Sequence, residues 1–264
     1  RRFMRWGTGS QRFSRPIRWL LALKGVDLIP VEIPGADPPV RSDRFSRGHR
    51  LHGDQPLPIN TAEAYDDTLA AAGVIVDRQQ RAALIRSQLD ASADQLNGLP
   101  DCPEFLFQEL VDLVESPRLL QGSIAERFLS LPPEVIITVM QAHQRYVPLK
   151  VPEVTPDPLQ LVATGVLQRD FLLVGNGLEA ADALITRGNE RVLAARLADA
   201  EFFLSVDRRQ PSSVRREALD RVTFAEGLGG LLYGSQLTVC IARLLVAQLC
   251  PDAGFGDAYS RSAP

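Results

Sequence analysis

Residues 188–207 read GNERVLAARLADAEFFLSVD, and the spacing of their apolar side chains constrains the chain more than any other stretch. Leu193, Leu197, Ala200 and Leu204 recur at three- and four-residue intervals. Such positions share a face only on an α-helix, so the spacing predicts a helix with that face buried. Arg191, Arg196, Asp199, Glu201 and Asp207 fall mostly elsewhere on it, and Arg196 and Asp199 are spaced to pair. Arg191, Arg196, Asp199 and Asp207 therefore read as structural ion pairs, or as ion pairs at an interface with another domain. Phe202 and Phe203 read as core. Upstream, the helix either continues through Gly188–Asn189 or restarts there, with Asn189 as cap and Glu190 complementing the dipole. If it continues, Arg187 and Arg191 become like-charged neighbours. Glu190 or Asp182 offsets them in one reading, an anionic partner in the other.

The rest of the chain alternates strand and helix without a βαβ rhythm. The fold class is α+β: mixed strands and helices in the first two-thirds, mainly helical in the last third. Residues 16–34 predict two strands turning at Gly25, with Pro16 and Pro34 at the ends, and 35–55 predict a loop. A helix runs from Asn60 or Thr61 to Ala72, stopped by Gly73. Asp77 caps a second through Leu96, ended by Asn97–Gly98. A third spans Pro103 to Glu115, with Phe105, Leu106, Leu110, Leu113 and Val114 as its apolar face. RLLQG (118–122) is a strand, Pro132–Pro133 start a helix through His143, and QRYVPLKV is extended. VTPDPLQ (154–160) is a turn or disordered loop, and 170–175 form a strand. Helices are expected at 212–222 and 235–250, before a disordered tail. By domain, 1–222 is a mixed core: β-rich to 59, helical over 60–116, mixed over 117–222. Residues 223–264 open a following helical domain, divergent and truncated. Arg1 stands where a start methionine would be, so a piece of a longer protein is expected.

Charge is distributed unevenly. The net charge is −3, yet residues 1–50 hold eleven basic against four acidic side chains. Such a segment is the electrostatic footprint of a polyanion partner or a solvated arginine-rich surface. Cys102, Cys240 and Cys250 are too scattered for a disulfide or zinc framework and read as buried thiols of a reducing compartment. VCIARLLVAQLC is interrupted by Arg243 and too short to span a bilayer. A cytoplasmic location is expected.

Few motifs carry chemistry. His49 and His52 lack a third ligand, so no metal site is expected. His143 sits near a helix end, where the dipole explains it, and no nucleophile partner is identifiable. With only Lys24 and Lys150 present, a P-loop is excluded. VGNGLEAA (174–181) resembles a dinucleotide turn, so an oxidoreductase using Gly175-Asn176-Gly177 is an alternative. A strand ending in an acidic residue about 20 positions on is missing. A non-enzymatic scaffold is the third reading.

Six blocks occur in a telling order: MRWG (4–7), RPIRW (15–19), RGHR (47–50), FLSLPPEV (128–135), HQRY (143–146) and GNERV…ARLADAEFF from 188. Over roughly positions 4 to 226 the chain resembles the β subunit of bacterial glycyl-tRNA synthetase. From about Leu231 the apolar skeleton survives, but the family's basic residues do not.

The resemblance implies an ATP-dependent glycine–tRNA ligase, an aminoacyl-tRNA synthetase of protein biosynthesis. It implies an α2β2 heterotetramer in which the α subunit binds ATP and glycine and performs the chemistry. The β subunit then contributes tRNA(Gly) binding and assembly. No catalytic residue, cofactor or metal is expected in this chain, and no activity from it alone. Arg5, Arg12, Arg15, Arg18, Arg47, His49 and Arg50 are the residues expected near the tRNA backbone, where guanidinium groups bind phosphate bidentately.

Overall fold

A computed structural model describes residues 4, 5, 12, 13, 15, 17–33, 35, 39–53, 55–152, 166–223 and 230–249. The ends at Pro16 and Pro34, the 154–160 loop, the C-terminal tail and Cys250 lie outside that set. Two compact units emerge, Arg1–Ala198 and Asp199–Pro264. The sequence boundary after 222 falls within the second.

The first unit opens with short strand pairs. Strands β1 (Met4–Arg5) and β2 (Arg12–Phe13) are antiparallel, as are β4 (Leu23–Lys24) and β5 (Asp27–Leu28). Gly25 takes the turn between β4 and β5 at φ 56°, a left-handed conformation that suits glycine. β3 (Leu20–Leu21) pairs in parallel with β6 (Ser42–Asp43), and β7 (Phe45–Arg47) pairs antiparallel with β8 (Pro56–Pro58). The loop expected over 35–55 thus contains two strands. They are two and three residues long, too short for hydrophobic alternation to register.

Helices follow where their caps predict. Thr61 caps a 3-10 turn, Ala62–Ala64, that leads into α1 (Tyr65–Ala71), and Gly73 ends it at φ 78°. Asp77 Oδ1 accepts the N–H groups of Gln79 at 2.6 Å and Gln80 at 3.3 Å, starting α2 (Arg78–Leu96). Asn97, at φ 47°, closes it. In α3 (Glu104–Leu113), Leu106, Phe107, Leu110 and Val111 are buried, and Val114 just beyond joins them. Phe105 and Leu113 are exposed, a correction to the apolar face expected for them. At 100° per residue Phe105 lies opposite the buried stripe and Leu113 at its side.

Four strands form the central antiparallel sheet in the order β10–β12–β11–β9: Arg118–Ser123, Leu167–Gly175, Val147–Lys150 and Leu99–Pro100. One core joins α2 and α3 to this sheet through Ile85, Leu89, Leu106, Phe107, Leu110, Val147, Leu149 and Leu172. Strand alternation sends Phe171, next to Leu172, to the other face. Phe171 pairs with Gly122, where a Cβ would come within 2.5 Å of the ring, so the strand leaves room for the phenyl group only because it has glycine there.

The helix expected through His143 has two forms, α4 (Pro133–Thr138) and then a π-helical segment, Val139–Gln144. Arg145 stops it at φ 62° and turns the chain into β11. Helix α5 runs unbroken over Asp182–Arg209, so Gly188–Asn189 is no boundary. Leu193 and Leu197 are buried on the expected stripe.

In the second unit, α5 continues into α6 (Ser212–Ala218), a 3-10 turn (Leu219–Arg221) and α7 (Leu231–Leu249). Phe202 and Phe203 are exposed at 62% and 65% and meet edge to face, which corrects the reading of them as core. Phe202 lies half a turn from the Ala200–Leu204 side. Cys240 is exposed and Cys102 partly so, which corrects their reading as buried thiols. No helix among the described residues is long and apolar enough to cross a membrane.

Candidate nucleic-acid interface

The described arginines of the first fifty residues divide by what they touch. Arg44 donates to the carbonyls of Asn60 at 3.3 Å and Val26 at 2.9 Å, tying three segments together. Arg41 is ion-paired with Glu32 at 2.7 Å. These two have structural or local partners.

Arg5, Arg12, Arg15, Arg18 and Arg50 are exposed, and none has an ion pair among the described residues. Arg5 and Arg12 are direct cross-strand partners in the β1–β2 pair. Like charges facing one another across antiparallel strands are destabilising, so this placement invites an anion.

RGHR does two different jobs. A Cβ on Gly48 would lie 2.6 Å from Ala72 Cβ and 2.9 Å from its carbonyl, so the turn sits tightly on the end of α1. The His49 N–H donates to that carbonyl at 2.9 Å. Its imidazole is buried at 2% exposure, with Nδ1 accepting the Leu51 N–H at 3.4 Å and the ring edge-on to His52. His49 therefore does not share the solvent-facing position of Arg50. No group of three metal-ligating side chains exists among the described residues.

Arg47 is partly buried, with its guanidinium 5.5 Å from the Trp19 ring centroid. Together with Arg18, Trp19, Arg41, Asp43 and Phe45 it lines an open cleft of about 390 Å³. The structure thus brings Arg18 and Arg47 to one cleft and Arg5 and Arg12 to one strand pair. Sequence reasoning missed Trp19 and Phe45 as part of such a site. The available signal was aromatic residues interleaved with arginine, RW at 18–19 and RFSR at 44–47.

The rival dinucleotide turn is occupied by the protein itself. Asn176 Oδ1 accepts the N–H groups of Glu115 at 3.1 Å and Ser116 at 2.9 Å, and a Cβ on Gly177 would meet Ile185 Cδ1 at 2.5 Å. β12 is flanked by antiparallel strands, whereas a dinucleotide unit needs a parallel neighbour. The oxidoreductase alternative has no support.

Arg191, Arg196, Asp199 and Asp207 are exposed on α5, and none takes part in an ion pair among the described residues. Arg187 donates to the Ala183 carbonyl at 3.3 Å. Glu190 accepts the Ser123 N–H at 2.8 Å and its hydroxyl at 3.1 Å, binding helix to sheet instead of offsetting Arg187. Asn189 accepts the Tyr146 hydroxyl at 2.6 Å. Two blocks distant in sequence, HQRY and GNERV, therefore meet in space.

A family profile described as the glycyl-tRNA synthetase beta subunit matches residues 1–263. The chain belongs to the glycyl-tRNA synthetase beta subunit family. That match runs well past 226, so the divergent stretch after Leu231 still lies within the family. The chain is 40% identical over 260 residues to the glycine–tRNA ligase beta subunit of Gloeothece citriformis, covering 96% of this chain and 35% of that relative. It is 37% identical over 249 residues to the protein of that name from Trichodesmium erythraeum, covering 94% and 34%. With that from Moorella thermoacetica it shares 42% over 231 residues, covering 87% and 31%. The chain thus spans about a third of the length of these relatives.

Proposed function

We propose that this chain is the segment of a glycine–tRNA ligase beta subunit that tracks the backbone of tRNA(Gly). The naming of the relatives supports the ligase, and their label as beta subunits implies an alpha partner. In the proposed division of labour, the alpha subunit of an α2β2 cytoplasmic enzyme binds ATP and glycine and joins glycine to the tRNA. This chain contributes RNA binding and assembly.

The observation that carries the reading is Arg5 facing Arg12 with no acid paired to either among the described residues. A phosphate between two guanidinium groups replaces repulsion with charge-assisted hydrogen bonds. Arg15, Arg18 and Arg50 extend the set of exposed, uncompensated cations. Contacts of this kind position RNA without reading its sequence.

The test is binding of tRNA to the full-length beta chain assembled with its alpha partner, between about 50 and 200 mM salt. Affinity is expected to fall steeply, and Arg5→Ala with Arg12→Ala to flatten the slope by roughly one per lost phosphate contact. Affinity unchanged by salt would sink the reading.

A further inference from the structure

We propose that the cleft between Trp19 and Phe45 takes a single unpaired nucleotide of an RNA strand, its base against the aromatic rings and its phosphate against Arg18. The inference rests on the RNA-binding reading above and adds to it a site and a strand state. Trp19 and Phe45 both line the cleft and remain 43% and 42% exposed. Ser46 is buried, so strand alternation puts Phe45 and Arg47 together on the outward face of β7. Arg47 then lies over Trp19, joining a cation and two aromatic surfaces at one place.

The charges define what fits. Arg18 lines the cleft without an ion pair among the described residues. Arg41 is already neutralised by Glu32. Asp43 accepts the Arg44 N–H through Oδ1 at 2.7 Å and adds a carboxylate to the lining. One phosphate is matched by Arg18, and a base that lies against Trp19 or Phe45 has to be unpaired and splayed out of its stack, as a single strand allows. The Asp43 carboxylate is also an acceptor for the N–H groups on a base edge. The cleft is open and keeps Trp19 and Phe45 two-fifths exposed, so it presents ring surface without enclosing a free small molecule. The geometry therefore suits one residue of a polymer, with base–aromatic stacking as the sequence-tolerant contact.

The experiment uses the complete alpha–beta enzyme, with tRNA, a short single-stranded RNA, a blunt RNA duplex of equal length and ATP as probes. Single-stranded RNA is expected to compete with tRNA better than the duplex or ATP. Trp19→Ala is expected to weaken single-strand binding about tenfold with little change in salt slope. Trp19→Phe retains most of the affinity, and Arg18→Ala lowers the slope by roughly one. Circular dichroism and recovery of the alpha subunit check each variant's integrity. Equal affinity of Trp19→Ala and wild type would overturn the inference while leaving salt-dependent tRNA binding intact. So would duplex or ATP competing as well as the single strand, or Trp19→Ala losing the alpha subunit with RNA binding unaltered.

Discussion

Tyr146 donates its hydroxyl hydrogen to Asn189 Oδ1 at 2.6 Å, and Asn189 in turn donates through Nδ2 to the Ile185 carbonyl at 2.7 Å. The phenol ring stacks on Phe171 with centroids 5.1 Å apart. One side chain thus joins the start of β11, the middle of β12 and the first half of α5. Asn189 is held inside a continuous helix, where its amide serves a tertiary contact instead of a cap.

A double-mutant cycle on this pair should show coupling. Tyr146→Phe and Asn189→Ala are each expected to destabilise the protein by about 1 kcal/mol, the net worth of a hydrogen bond. The double variant should lose less than the sum. Denaturant unfolding gives the three values, and strict additivity would show that the bond contributes nothing.

Burial also raises the Tyr146 phenol above its ordinary value near 10. The folded protein therefore holds this proton when the unfolded chain has begun to release its own. The sign follows from linkage: above pH 10 the unfolded state binds fewer protons, so stability falls as pH rises. Tyr146→Phe should reduce that alkaline loss in urea midpoints measured from pH 8 to 11. An identical slope in both proteins would contradict the assignment.

RGHR should separate into structural and surface halves. Gly48→Ala places a methyl group 2.6 Å from Ala72 Cβ and is expected to cost about 1–3 kcal/mol. Arg50→Ala should change stability by less than about 0.5 kcal/mol, as an exposed site does. It should nonetheless weaken tRNA binding at low salt. Thermal unfolding paired with filter binding distinguishes the two.

Glu190 guards an edge strand. Among the described residues β10 is an edge of the central sheet, and its outward N–H groups at Leu119 and Ser123 are capped by Gln88 at 2.7 Å and Glu190 at 2.8 Å. Side-chain caps of this sort occupy donors that would otherwise pair with another chain. Glu190→Ala should cost about 1–3 kcal/mol through the unsatisfied groups. It should also raise aggregation on mild heating, followed by light scattering, whereas Glu190→Gln keeps an acceptor and should behave closer to wild type.

Cys102 offers a chemical check. Burial pushes its thiol up to about 11, so it is protonated at neutral pH and a poor nucleophile. Iodoacetamide at pH 8 is expected to modify exposed Cys240 well before Cys102, as peptide mass mapping would show. Faster modification of Cys102 would mean that its surroundings are open.

By itself the sequence determined the parts of this protein that depend on neighbouring residues. Asp77 and Asn97 bound α2 because a carboxylate next to free N–H groups and a left-handed terminus are local chemistry. The Leu193–Leu197 stripe marked its helix because 3.6-residue periodicity is a property of the helix alone. Six ordered blocks determined the family. Only the tertiary structure decided what those blocks do. Gly188–Asn189 lies inside unbroken α5, where Asn189 accepts from Tyr146, 43 residues away, instead of capping a helix. The placement of Phe105, Phe202 and Phe203 outside the core was set by which helix face meets other elements. His49 went inward because α1 ends beneath it, while Arg5 and Arg12 came face to face through strand register. Those outcomes rest on contacts between distant segments, whose energies no local pattern encodes.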